Sequence, residues 1–136
     1  MRGLAHFDLV DELKEVAASM GRTFTPERHP ETGSFYRSDH FSLAKVGVPA
    51  ITFTPGLDLV NGGLAKGEAM AAEYTAKRYH QPDDEYSSDW DLSGMVQDAG
   101  LLHELGRRLA TSRVWPNWAP DSEFRAARDR TAADRN

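Results

Sequence analysis

The stretch Val48-Pro49-Ala50-Ile51-Thr52-Phe53-Thr54 sets the tightest limit on what this chain can build. It is short, rich in β-branched residues and nearly continuous in apolar character after Pro49, the pattern of a strand buried on both faces by helices. Helical patterns lie on either side of it. Before it, Phe7, Leu9, Val10, Leu13, Val16, Ala17 and Met20 recur at three- and four-residue intervals, and Gly21 follows as a stop. After it, Met95, Val96, Ala99, Leu102, Leu105 and Leu109 mark a long helix over Leu92 to Ser112 with Asp91 as its N-cap. Helix, turn and buried strand in alternation predict an α/β fold.

The intervening segments complete the expectation. Arg22 to Thr25 has strand character that Pro26 ends, and Glu27 to Gly33 is loop by composition. Ser38 or Asp39 caps a short helix through Lys45, which Gly47 closes. Pro55 to Gly67, with four glycines, reads as a long surface loop of the kind that borders a site. Glu68 to Tyr79 is a helix with a weak apolar face, and His80 to Asp91 is an acidic loop. Trp115, Pro116, Trp118 and Pro120 exclude regular helix, and the charged residues to Asn136 are expected to fray. Residues 1–113 therefore read as one domain portion and 114–136 as a Trp/Pro-containing extension and charged tail.

Charge and composition narrow the function. With 21 acidic against 16 basic residues and a net charge of -5, the chain has no electrostatic footprint for nucleic acid or an anionic membrane. It has no cysteine, so a metal would have to be held by His, Asp or Glu. Asp8, Asp11, Glu12, Lys14 and Glu15 interrupt any apolar stretch that could act as a signal peptide or span a bilayer. If Met1 is the natural start, a cytoplasmic location is expected.

Five histidines carry most of the chemical potential. His6 and His29 read as solvated surface residues, and His103 as a satisfied helix histidine. His40 follows Ser38 and Asp39, but three successive side chains cannot converge as a nucleophilic triad. His80 stands where a helix gives way to Gln81-Pro82-Asp83-Asp84-Glu85, a fixed backbone with carboxylates able to orient an imidazole. Spacing alone leaves two readings open, a metal ligand or a loop histidine paired with Asp83 or Asp84.

Two motifs distinguish them. Ser38-Asp39-His40, a helix, and then Gly47-Val48-Pro49-Ala50 resembles a segment of the di-zinc aminopeptidases, the metallopeptidase family numbered twenty-eight. Tyr79-His80-Gln81-Pro82-Asp83-Asp84-Glu85-Tyr86 is similar to that family's closing motif. Asp89-Trp90-Asp91-Leu92-Ser93-Gly94 with Trp115-Pro116-Asn117-Trp118 resembles the ending of a bacterial branch.

The resemblance implies the C-terminal portion of a three-layer α/β/α zinc-exopeptidase fold with an incomplete central sheet. It implies a centre of two zinc ions that hydrolyses N-terminal peptide bonds. On this chain it carries over one metal ligand, His80; the other ligands and the general base would precede Met1. It also implies an oxyanion contact from Tyr36 (or the neighbouring Phe35), pocket roles for Asp39 and His40, and Asp84 or Asp83 as partner to His80. With one ligand carried over and no Glu-Glu pair in the chain, activity in isolation is not expected. The implied partners are a peptide substrate and either a complementing N-terminal chain or a second copy meeting at exposed sheet edges. The rival expectation is a non-catalytic binding or oligomerisation module of the same descent.

Overall fold

The structure, a computed structural model, describes residues 8–112 and 115–135. His6 and the expected start of the first helix at Phe7 lie outside the described residues, as do Arg113 and Asn136. The fold is helical. Five α-helices and three 3-10 turns follow one another, and no strand is present among the described residues. The chain divides into two compact units, one made of residues up to Phe53 together with those from Ala99 onward, the other of Thr54–Asp98.

The first unit holds the hydrophobic core. Helix α1 (Asp8–Ser19) buries Leu9, Leu13, Val16 and Ala17, the stripe its periodicity marks. It ends where the Arg22 N–H donates to the Ala17 carbonyl at 2.8 Å and the Gly21 N–H to Ala18 at 3.0 Å. Helix α2 (Phe41–Lys45) contributes Ala44. Helix α4 (Ser93–Thr111) contributes Leu101 and Leu105 to the same cluster. Trp118 and Phe124 complete the cluster, and Phe24, Phe35, Phe41, Ile51 and Phe53 pack around it. Arg108 of α4 lies within 3.8 Å of Glu12 and 3.6 Å of Glu15, a polar seam between α1 and α4. Such partly exposed pairs contribute little, about 0–1 kcal/mol each, so the apolar cluster dominates.

The expected α/β fold with an incomplete sheet is overturned. Val48–Thr54 is not a strand, and the only β pairing among the described residues is an isolated bridge between Leu59 and Gly63. Its burial alternates: Ile51 and Phe53 pack on the core while Thr52 and Thr54 are exposed, and Val48 is 41% exposed. One face is covered rather than two, and strand-forming side chains make a sheet only where a neighbouring backbone takes up their N–H and C=O groups. The same holds for Arg22–Thr25, which is also irregular.

Smaller expectations shift as well. Neither Ser38 nor Asp39 caps α2 through its side chain; His40 precedes the helix without a side-chain cap, and Ser38 Oγ donates back to the Ser34 carbonyl at 2.7 Å. A 3-10 turn, Ser34–Arg37, accounts for that redirection. Gly47 does close α2, with φ 88° and its N–H donating to Ala44 at 2.8 Å. The segment 115–119 is irregular, as its prolines require, but the charged tail is helical in α5 (Arg125–Asp129) and a final 3-10 turn at Ala132–Arg135. Within α5, Arg125 Nε bonds both Asp129 oxygens at 3.0 and 2.9 Å, an i, i+4 pair that favours the helix.

The second unit contains helix α3 (Gly63–Lys77) and the turns that follow it. The helix begins inside the expected Pro55–Gly67 loop. Gly67 is the reason composition misleads there: it is buried in α3 against the Leu57 backbone, and a Cβ would collide with the Leu57 carbonyl. Leu64, Met70, Tyr74, Tyr79, Tyr86, Trp90, Leu92, Met95 and Val96 all remain at least one-third exposed. Asp91 caps the start of α4 as expected, accepting the Ser93 N–H at 2.9 Å, which holds its carboxyl below the usual range.

Candidate functional site

The residues singled out from sequence fall into two groups, Tyr36, Asp39 and His40 in the first unit, His80, Asp83 and Asp84 in the second. In the first group an aromatic cluster sets the positions. Phe35 lies 4.7 Å from the His40 ring, 5.6 Å from Tyr36, 5.8 Å from Phe124 and 6.4 Å from Trp118, mostly edge-to-face. Such contacts suit the ring quadrupoles and are worth about 0.5–1.5 kcal/mol each beyond burial. His40 is half-buried in this setting, and its Nε2 is buried with no hydrogen-bond partner. Asp39 is exposed.

Tyr36 donates its hydroxyl to Glu123 Oε1 at 2.7 Å. That carboxylate pushes the phenol pKa up, with desolvation adding to it. To stabilise an oxyanion the hydroxyl would first have to leave Glu123, because a phenol has one proton to donate. Glu123 is a partner that sequence reasoning missed. The two residues are 87 positions apart, and no local pattern links them.

The second group is built on the end of α3. The N–H groups of Arg78 and Tyr79 both donate to the Tyr74 carbonyl, at 2.8 and 2.9 Å, and the next residue, His80, turns into the left-handed region with φ 58°. It is the only non-glycine residue with positive φ among the described residues. The chain then tightens through Gln81 N–H to Arg78 and Asp84 N–H to Gln81, at 2.7 and 3.1 Å. The His80 imidazole stacks on Tyr79 at 3.9 Å with planes 21° apart, and it is exposed at the surface. Asp83 is exposed as well. Asp84 accepts the Tyr74 hydroxyl at 2.8 Å, which raises the phenol pKa. Tyr74 is the second partner missed from sequence.

The remaining histidines are outside these groups. His29 is exposed and pairs with Glu31 at 3.0 Å, and His103 is exposed on α4.

Whether these residues suit a zinc centre is decided by the donor set. Among the described residues no three His, Asp or Glu side chains gather in a metal-binding group. A structural zinc site needs four protein donors and a catalytic one three, so His80 alone does not make one. No helix among the described residues is long and apolar enough to cross a membrane.

Comparison with known families matches residues 1–102 to the model of peptidase family M28. No curated protein and no solved structure matches the chain.

Proposed function

The chain belongs to peptidase family M28, a family of metallopeptidases, and on that premise we propose that it works as one part of a zinc-dependent aminopeptidase. In this reading His80 supplies a single imidazole nitrogen to a centre whose other ligands and general base come from a second polypeptide segment. The substrate class is a peptide with a free N-terminus. The observation that carries the reading is the geometry of His80, a non-glycine residue in the left-handed region between a helix end and an acidic turn. Conformations of that kind cost about 1–3 kcal/mol and concentrate at functional sites.

One donor does not assemble a tetrahedral site, so no catalytic step is assigned to the chain by itself. Its own residues do more limited work. His80 in its neutral form offers a lone pair. Tyr36 donates its hydroxyl hydrogen bond to Glu123.

A second reading is favoured by a separate observation, the exposed apolar side chains around α3 and the start of α4. Met70, Met95 and Val96 are 56%, 63% and 70% exposed. This suits a non-catalytic binding or oligomerisation module. It also suits a peptidase part whose complement covers the same residues.

Zinc content of the purified chain, measured with release of chromophore from aminoacyl anilides, tests the proposal. The chain alone is expected to retain little zinc and to turn over nothing. Addition of the complementing segment is expected to bring zinc and turnover together, both abolished by His80→Ala. Turnover that survives His80→Ala would sink the reading.

A further inference from the structure

The residues around His80 form a closed brace that the metal-ligand motif does not include. Tyr74, on the last full turn of α3, contributes to it three times. Its carbonyl accepts from the N–H groups of Arg78 and Tyr79 at 2.8 and 2.9 Å, which winds the helix end tightly. Its ring lies 6.1 Å from Tyr79, tilted by 55°, and Tyr79 in turn stacks on the His80 imidazole at 3.9 Å. Its hydroxyl donates to Asp84 Oδ2, ten positions further on, at 2.8 Å, closing a loop in which His80 is held at φ 58°.

We propose that Tyr74 is a positioning residue for His80, acting through the stack on Tyr79 and the hydrogen bond to Asp84 to hold the imidazole in one orientation. The inference rests on the reading of His80 as the working histidine. An exposed ring has free rotation about two side-chain bonds, and a strained backbone relaxes unless its surroundings over-determine it. The hydroxyl clip and the ring stack provide that determination from both sides of His80. The hydroxyl is 42%-exposed Tyr74's only polar side-chain group, and its bond is to a carboxylate, which is stronger than a bond between neutral groups.

The test is made on the full chain by following the two carbon-bound ring protons of His80, assigned through His80→Gln, together with far-UV circular dichroism. Stacking on Tyr79 displaces these resonances upfield of an unstructured histidine. In Tyr74→Phe the helical signal is expected to persist while the His80 resonances lose most of that displacement. Asp84→Ala should reproduce the loss, and Asp84→Asn, which keeps an acceptor oxygen, should restore it. His80 resonances that remain displaced in both Tyr74→Phe and Asp84→Ala would overturn the proposal. If Tyr74→Phe loses its helical signal, Asp84→Ala decides alone, since it leaves the aromatic side chains untouched. The readout needs neither zinc nor turnover. A chain whose ring signals respond as expected but which supports no hydrolysis after addition of the complementing segment would keep the brace and remove the peptidase reading.

Discussion

At the scale of single residues, conformation and chemistry meet at His80. A β-carbon in the left-handed region crowds the following carbonyl, a cost of roughly 1–2 kcal/mol that glycine does not incur. His80→Gly is therefore expected to be more stable than His80→Ala by about 1 kcal/mol, although glycine is ordinarily the poorer residue in a folded chain. Urea unfolding of the two variants measures this directly. Equal stability, or the reverse order, would mean that the backbone at position 80 is not held at φ 58° in solution. The histidine itself was visible in the sequence, since Tyr79-His80-Gln81-Pro82 is a local string. Tyr74 and Glu123 were not, because the bonds that give them roles reach across 10 and 87 residues and leave no trace in spacing.

At the scale of elements, most helices were legible and the expected strands did not form. Leu13, Val16 and Leu105 repeat at helical intervals and are buried, because a helix satisfies its own backbone and needs only one apolar stripe to dock. On α4, however, the buried face is turned from the expected one: Leu101 is buried while Met95, Val96 and Leu102 are exposed. Val48–Thr54 has equally strong local character, but a strand depends on a partner that local sequence does not specify. Gly67 misled in the opposite sense, its small size serving close packing inside α3 instead of a loop. Helix α4 carries an electrostatic element that can be measured. Hydrogen bonds from Arg107, at 2.7 and 2.8 Å, and then from Arg108, at 3.1 Å, lower the Glu104 carboxyl to about 2. A carboxyl depressed on folding contributes stability that is present above its unfolded pKa and is lost as the pH falls through the folded value. The contribution of Glu104 is therefore complete above about pH 4.5 and gone near pH 2. Glu104→Gln is expected to flatten the fall in melting temperature across that window, with little change in its steepness elsewhere. An unchanged acid limb would mean that the two arginines do not hold the carboxylate.

At the scale of the whole molecule, the sheet-edge argument for self-association falls with the sheet, but exposed apolar side chains supply another. Met70, Tyr86, Met95 and Val96 are each more than half exposed within one unit, and apolar side chains left uncovered favour association. The isolated chain is expected to sediment as a dimer or larger species at micromolar concentration, and Met95→Lys combined with Val96→Glu to shift it towards monomer. A wild-type chain that sediments as a monomer over that range would remove the argument for a covering partner.

The first unit is assembled from segments far apart in the chain, with the Trp118 indole N–H donating to the Gly47 carbonyl at 3.1 Å. A β-carbon at Gly47 would stand 2.5 Å from the Arg128 backbone nitrogen, so the last helix is seated directly on the turn that ends α2. During synthesis α1 emerges early, whereas the tryptophan that seals its core follows only after the intervening unit has been made. At about 5–20 residues per second, the delay between Ser19 and Trp118 is on the order of ten seconds. Throughout that interval the apolar stripe of α1 has no finished core to enter.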